Sequence, residues 1–210
     1  MRRYQIAVIV SATVALLGAA SESLYGQNAK ASTPSQQTAT AIFAGGCFWC
    51  MEPPFDALPG VISTTSGYTA GQTKNPTYEQ VSAGRTGHTE ALQVVYDPTK
   101  VSYAQLLTVF WRNIDPLDTG GQFCDRGPQY RPGVYYQSAE QQQQAEASKA
   151  KTATTLGKPI GVEVVAASTF YAAEGYHQDY YKKNPVRYKY YRWNCGRQQR
   201  LDELWGKTTS

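Results

Sequence analysis

Cys47 and Cys50 stand three residues apart in Gly45-Gly46-Cys47-Phe48-Trp49-Cys50-Met51-Glu52, directly after the apolar run Ala41-Ile42-Phe43-Ala44. The run reads as a strand over Ile42–Gly45. The segment after it reads as a helix over Cys47–Leu58, closed by Pro59-Gly60. Pro53-Pro54 suit a helix only in its first turn. A cysteine at a helix start meets unpaired backbone N–H groups and the positive end of the helix dipole, and both favour a thiolate. Thiolate is the nucleophilic form, so the placement predicts sulfur chemistry, with Phe48 and Trp49 as walls of an apolar pocket. Cys50 shares a helix face with Cys47, within reach of a disulfide across the first turn. Gly45-Gly46 leaves space for a substrate backbone to approach closely.

Other chemistries compete for the same residues. Four cysteines in an exported chain are equally compatible with two static bridges, which would make a disulfide-stapled binding module. Zinc sites supply close pairs of ligands, whereas Cys124 and Cys195 stand alone and the two histidines, His88 and His177, lie far apart. No metal is expected. A thioredoxin-type disulfide oxidoreductase carries Trp ahead of its Cys-x-x-Cys, but here Trp49 lies between the cysteines. The tail segment Tyr188-Lys189-Tyr190-Tyr191-Arg192-Trp193 has the aromatic and basic interleaving of single-strand binders. A formal charge of +4 over 210 residues is too small to support a nucleic-acid partner.

The elements that must position these residues follow from patterning. An apolar share of 41% against 17% charged residues is a globular balance, and the length suits one domain with extensions. Met1 to Gln5 is basic, Ile6 to Leu17 is apolar apart from Ser11 and Thr13, and Gly18-Ala19-Ala20 supplies small residues. This is an expected export signal over 1–20, cleaved near Ala20, which directs the chain to the periplasm. Removing it takes two arginines and no acid, leaving 18 bases against 16 acids. Residues 21–40, rich in Ser, Thr, Gln and Ala, form an expected flexible leader, and 41–210 a single domain. Val61 to Tyr68 and His88 to Tyr96 read as strands. Ser102 caps a helix with Leu106, Leu107, Phe110 and Trp111 on one face. Gly120 to Pro132 reads as a long functional loop. Val134–Tyr136 is a short strand, Ser138 starts a polar helix to about Thr155, Val162–Ala167 is a strand and Glu174–Lys183 a helix. The tail beyond Pro185 takes no assignment. The fold class predicted is α+β, a mixed or antiparallel sheet flanked by helices.

Several further motifs occur in a fixed order: Gly67-Tyr68-Thr69-Ala70-Gly71, Asn75-Pro76-Thr77-Tyr78-Glu79-Gln80-Val81, Gly87-His88-Thr89-Glu90-Ala91, Asp125-Arg126-Gly127-Pro128-Gln129-Tyr130-Arg131 and Glu174-Gly175-Tyr176-His177-Gln178. Together with Gly-Cys-Phe-Trp-Cys they resemble the methionine sulfoxide reductase A family, over Ile42 to about Asn184. The resemblance implies a ferredoxin-like core and thiol-dependent reduction of methionine S-sulfoxide, free or in oxidised proteins. Cys47 would attack the sulfoxide sulfur and Glu90 would protonate its oxygen, aided by burial that raises the carboxyl pKa. Tyr78 and Tyr130 would hydrogen-bond that oxygen, Asp125 would order the pocket, and Phe48 and Trp49 would cradle the methyl group. No bound cofactor is implied. The sulfenic acid on Cys47 would condense with a second thiol to a disulfide that a thioredoxin-like protein or other external dithiol reduces. The family's usual tail carries two cysteines; this one carries only Cys195. Cys195 and Cys50 are therefore alternative resolving thiols. Cys195 is favoured because a helix must partly unwind to join sulfurs three residues apart. Cys124 is expected as a buried thiol, Glu52 as a complement to the early helix, and His88 and His177 as structural histidines. A monomer is expected.

Overall fold

Alternating side chains set the two faces of the first strand in this computed structural model, which describes residues 37–207. In β1 (Ala39–Ala44), Ala41 and Phe43 enter one core while Ile42 and Ala44 enter another on the opposite face. The chain continues as α1 (Phe48–Asp56), β2 (Val61–Thr69), α2 (Tyr78–Ser82), β3 (Thr89–Tyr96) and α3 (Tyr103–Arg112). A short hairpin of β4 (Gly121–Gln122) and β5 (Asp125–Arg126) precedes β6 (Gly133–Tyr136), α4 (Ala139–Leu156), β7 (Glu163–Ala166) and β8 (Tyr171–Ala172). Three helices end the described chain: α5 (Tyr180–Lys183), α6 (Pro185–Asn194) and α7 (Arg197–Trp205). The expected signal segment, and the leader up to residue 36, lie outside the described residues.

The main sheet has the order β7-β6-β1-β3-β2-β8. Its pairings are antiparallel except for β6 with β7. The segment β1-α1-β2-β3-α3-β6, with spatial order β6-β1-β3-β2, is the split βαβ arrangement of a ferredoxin-like core. The α+β class read from the pattern is the one found. Phe43 stacks on Phe55 of α1 at 5.3 Å and on Phe110 of α3 at 5.2 Å, which fastens both crossover helices to one face of the sheet. Ser102 and Gln105 form a reciprocal capping box that starts α3 where the sequence places it.

Three local differences have physical causes. Pro53 and Pro54 lie in the second half of α1, not its first turn. Neither can donate a backbone N–H, so the carbonyls of Trp49 and Cys50 lose their partners four residues on. Only Tyr180–Lys183 of the expected 174–183 helix is helical. Upstream, side chains replace helical bonds: the Gln178 amide pairs with both the N–H and the carbonyl of Ser66 at 2.8 Å, while Asp179 turns left-handed at φ 54°. The unassigned tail is two helices, α6 and α7, turned against each other at Gly196 with φ 63°.

Candidate active site

The site is assembled at the start of α1. Cys47 is the N-cap residue, and the backbone N–H of Phe48 beside it donates to Glu90 Oε2 at 3.0 Å. Period-2 alternation in β3 puts Glu90 on the helix-covered face with Leu92 and Val94. Cross-strand pairing sets it opposite Tyr68. Tyr78 opens α2, whose start is fixed by a Thr77–Gln80 capping box, and its N–H donates to Glu174 Oε1 at 2.8 Å. The same Glu174 carboxylate accepts from the Tyr68 hydroxyl at 2.8 Å. Asp125 comes from β5 and Tyr130 from the single 3₁₀ turn after it. Cys47, Phe48, Trp49, Tyr78, Glu90, Asp125 and Tyr130 line one hollow of about 100 Å³, together with Tyr191 of α6. Every residue implied for catalysis or substrate binding thus meets in one place. Larger hollows beside Thr73 and Arg85, or beside Arg112 and Trp205, are lined by no thiol.

The aromatic walls are held rigidly. Trp49 stacks on Tyr180 at 3.7 Å and meets the edge of Tyr191 at 6.0 Å, while its indole N–H donates to His177 Nδ1 at 3.1 Å. His177 therefore carries its ring proton on Nε2, and burial pushes its pKa down, so it stays neutral. It packs against Phe48 at 5.0 Å and Tyr78 at 4.4 Å. His88 faces elsewhere, accepting from Gly71 N–H at 3.2 Å and reaching the Thr73 carbonyl at 2.8 Å. Both histidines hold structure, as read from the sequence.

Burial dominates the electrostatics. It pushes the Glu90 carboxyl up to about 8 against the opposing Phe48 N–H bond, so Glu90 is a neutral acid at neutral pH. Burial and Glu90 push Tyr78 up to about 12 and Tyr130 higher, which keeps both hydroxyls as donors. The Cys47 thiol is likewise raised, by burial first and then by Cys50, Glu90 and Asp125. The resting sulfur is thus a thiol, not the thiolate that a helix start suggests, because desolvation outweighs the dipole. Cys47 donates its S–H to Cys50, whose sulfur is lowered to about 6. The two sulfurs titrate as one unit and share one proton.

Other expectations change. Cys195 is joined to Cys124 by a disulfide, with Cα atoms 4.9 Å apart, so in this state it has no thiol to offer Cys47. Cys124 is exposed, not buried. Cys47 and Cys50 are the free thiols. Glu52 is buried, accepting from Ser66 Oγ at 3.0 Å, and burial raises it to about 7, so it does not serve the helix start as a surface charge. The Gly45-Gly46 pair leaves no approach path: a Cβ on Gly45 would strike Met51 and Ile114, and Gly46 has φ +78° against Gln122. Those glycines serve the sharp strand-to-helix turn and its packing.

Residues 39–209 match the family described as peptide methionine sulfoxide reductase. This chain belongs to the peptide methionine sulfoxide reductase family. It is 49% identical over 174 residues to the peptide methionine sulfoxide reductase MsrA of Bacillus subtilis (strain 168), covering 82% of this chain and 98% of that one. It is 46% identical over 207 residues to MsrA 2 of Caulobacter vibrioides, covering 98% and 100%. The solved methionine sulfoxide reductase A of Corynebacterium diphtheriae superposes with a TM-score of 0.65 at 36% identity, over 71% of this chain and 76% of that one.

In this member of the peptide methionine sulfoxide reductase family, sequence reading missed two site residues on the tail. The Tyr191 hydroxyl donates to Asp125 Oδ2 at 2.5 Å and its ring closes the hollow. Arg197 lies buried beneath the turn that carries Cys47. The only available signal was helical spacing: Tyr188, Tyr191 and Cys195 recur at i, i+3 and i+7, the pattern of one helix face.

Proposed function

We propose that the chain reduces the S epimer of methionine sulfoxide, free or in oxidised proteins, using the thiols of Cys47 and Cys50. As a peptide methionine sulfoxide reductase it removes the sulfoxide oxygen of oxidised methionine. The observation that carries this reading is the Cys47 thiol in a small hollow walled by aromatic rings, a protonated carboxyl and phenol hydroxyls. Cys50 takes the Cys47 proton through their hydrogen bond, and the resulting Cys47 thiolate attacks the sulfoxide sulfur. Glu90 gives a proton to the departing oxygen, which Tyr78 and Tyr130 bind. Methionine leaves and Cys47 becomes a sulfenic acid. The Cys50 thiol, carrying the proton it took from Cys47, then attacks that sulfur; the S–O bond breaks, the Cys50 proton goes to the leaving hydroxide, which departs as water, and a Cys47–Cys50 disulfide remains. Cys47 sits at the non-helical N-cap, and the Cys50 carbonyl lacks its helical partner four residues on because Pro54 has no N–H. Unwinding therefore breaks fewer bonds than in an ordinary helix. A thioredoxin-like protein or other external dithiol reduces the disulfide, and no bound cofactor enters the electron balance.

An epimer-resolved assay with dithiothreitol tests the reading. Methionine S-sulfoxide is consumed and the R epimer is left; insulin reduction without sulfoxide turnover would favour a disulfide exchange enzyme instead.

Glu90→Gln tests the acid. Glutamine keeps the shape but cannot supply a proton, so sulfoxide reduction falls by about 10²- to 10⁴-fold. The same variant alters stability. Glu90 holds its proton up to about pH 8 when folded, against an ordinary value of 4.5. Between these values the folded chain binds more protons, so stability falls as pH rises and the penalty is complete above about 8. At alkaline pH Glu90→Gln is expected to be more stable than wild type by roughly 2–5 kcal/mol and so to unfold at a higher temperature, with little difference in acid. Thermal melts across pH decide this; a variant less stable than wild type at alkaline pH would contradict it.

Export to the periplasm belongs to the same proposal. A basic start, an apolar run and small residues at 18–20 support it, and the Cys124–Cys195 disulfide suits an oxidising compartment. Protein recovered from a periplasmic fraction is expected to begin near Ser21; a cytoplasmic chain still starting at Met1 would refute it.

A further inference from the structure

Arg197, the first residue of α7, is 1% exposed. Its NH2 donates to the Gly45 carbonyl at 2.9 Å and the Asn113 carbonyl at 3.0 Å, and lies 3.6 Å from Met51 Sδ. Its Nε has no partner, and its Cζ sits 4.3 Å above the Phe123 ring. Among the described residues no ion pair includes Arg197. A guanidinium does not lose its proton, so a full positive charge is buried on dipoles and a ring alone, which offset its lost hydration only in part. The carbonyl and the thioether it touches belong to Gly45 and Met51, the residues that bracket the Cys47–Cys50 turn.

We propose that Arg197 is the buried counter-charge of the Cys47–Cys50 pair, a positioning residue that holds one of the two sulfurs ionised. This rests on the reading of the pair as the redox couple. The groups facing the pair come from every surrounding element: Glu90 from β3, Asp125 from β5, Tyr78 from α2, Tyr130, Tyr180 from α5, Tyr188, Tyr191 and Arg192 from α6, and Arg197 from α7. Burial opposes ionisation of the pair most, and nearby carboxyls oppose it further where they are ionised. Arg192 and Arg197 favour it. Arg192 is partly exposed and donates to Gln198 at 3.4 Å, so water and salt screen it, whereas Arg197 acts in a dry environment. The hydrogen bond from Cys47, then Arg197 and Arg192, lower the Cys50 sulfur. An ionised Cys50 is the base for Cys47 in the first step; in the second, the same cation eases release of that proton as Cys50 attacks the sulfenic sulfur, so one fixed cation serves both.

The test measures iodoacetamide alkylation of the reduced Cys47/Cys50 peptide against pH by mass spectrometry, a readout that needs no sulfoxide. In Arg197→Gln the alkylation midpoint is expected to rise by about one pH unit. With the wild-type Cys50 sulfur near 6, single-turnover sulfoxide reduction is expected to fall about fivefold at pH 6 and to approach the wild-type rate measured at the same pH by about pH 8. Arg197→Lys keeps the charge but loses the two-carbonyl clamp, so its melting temperature falls while its midpoint stays. Arg200→Gln, which removes the 2.7 Å ion pair between α7 and Asp115, is the control for a loosened helix and leaves the midpoint unmoved. A wild-type midpoint in Arg197→Gln, with only a lower melting temperature, makes Arg197 a mere clamp and overturns the proposal. If the glutamine variant does not fold, a raised midpoint in Arg197→Lys overturns it equally. A wild-type protein with a normal alkylation profile and no sulfoxide reduction would sink the functional reading alone.

Discussion

Cys47→Ser lowers methionine sulfoxide reduction by about 10⁴-fold or more while the protein stays folded. The size of the effect follows from the position of the sulfur. Cys47 is the one thiol that lines the hollow, and a serine hydroxyl neither ionises beside Cys50 nor attacks a sulfoxide sulfur. The remaining walls, including protonated Glu90 and the Tyr78 and Tyr130 hydroxyls, would still bind substrate but have no electron pair to deliver to it. Serine is slightly smaller and donates a hydrogen bond as the thiol does, so the stability cost is on the order of 1 kcal/mol. Turnover of the purified variant with dithiothreitol, beside its thermal melt, separates lost chemistry from lost fold. Turnover that survives the substitution would remove Cys47 from the mechanism.

The second large effect divides the remaining cysteines. Cys50→Ser is expected to release about one equivalent of methionine per enzyme and then stop, with a sulfenic acid on Cys47 that dimedone traps. Cys195→Ser is expected to keep turning over with dithiothreitol, because in the folded chain its sulfur belongs to the Cys124 bridge. Its penalty falls on stability instead. Opening a link across 71 residues of sequence costs about 4 kcal/mol if chain entropy alone is counted. Quantified methionine release and melting temperatures for both variants decide the assignment. The reverse result, one equivalent from Cys195→Ser and continued turnover from Cys50→Ser, would return the resolving role to the tail.

These three substitutions mark where sequence reading succeeded and where it stopped. The strand before Cys47, the helix after it and the capped α3 were legible because alternation, caps and turns act over a few residues. The ordered motifs located Tyr78, Glu90, Asp125 and Tyr130, and the fold brings all four to the same hollow. The helix expected over 174–183 failed because Gln178, Glu174 and His177 spend their side chains on β2, α2 and Trp49. No local pattern reports such distant partners. Tyr191 was hidden in a stretch whose interleaved tyrosines and bases resembled those of single-strand binders, and Val186, Tyr190 and Trp193 of the same helix are exposed.

By itself the sequence determined which atoms are available for chemistry: a cysteine at a strand-to-helix turn, a second three residues on, a strand glutamate and two tyrosines. Residue type and short-range geometry suffice for that. Tertiary structure alone decided the ionisation states and the sulfur partners. Glu90 is neutral and Cys47 a thiol because surrounding elements exclude water from both, and Cys195 meets Cys124 because α6 ends against the β4–β5 turn. Desolvation and the meeting of residues far apart in sequence are sums over the whole packed chain, so no short stretch of residues encodes them.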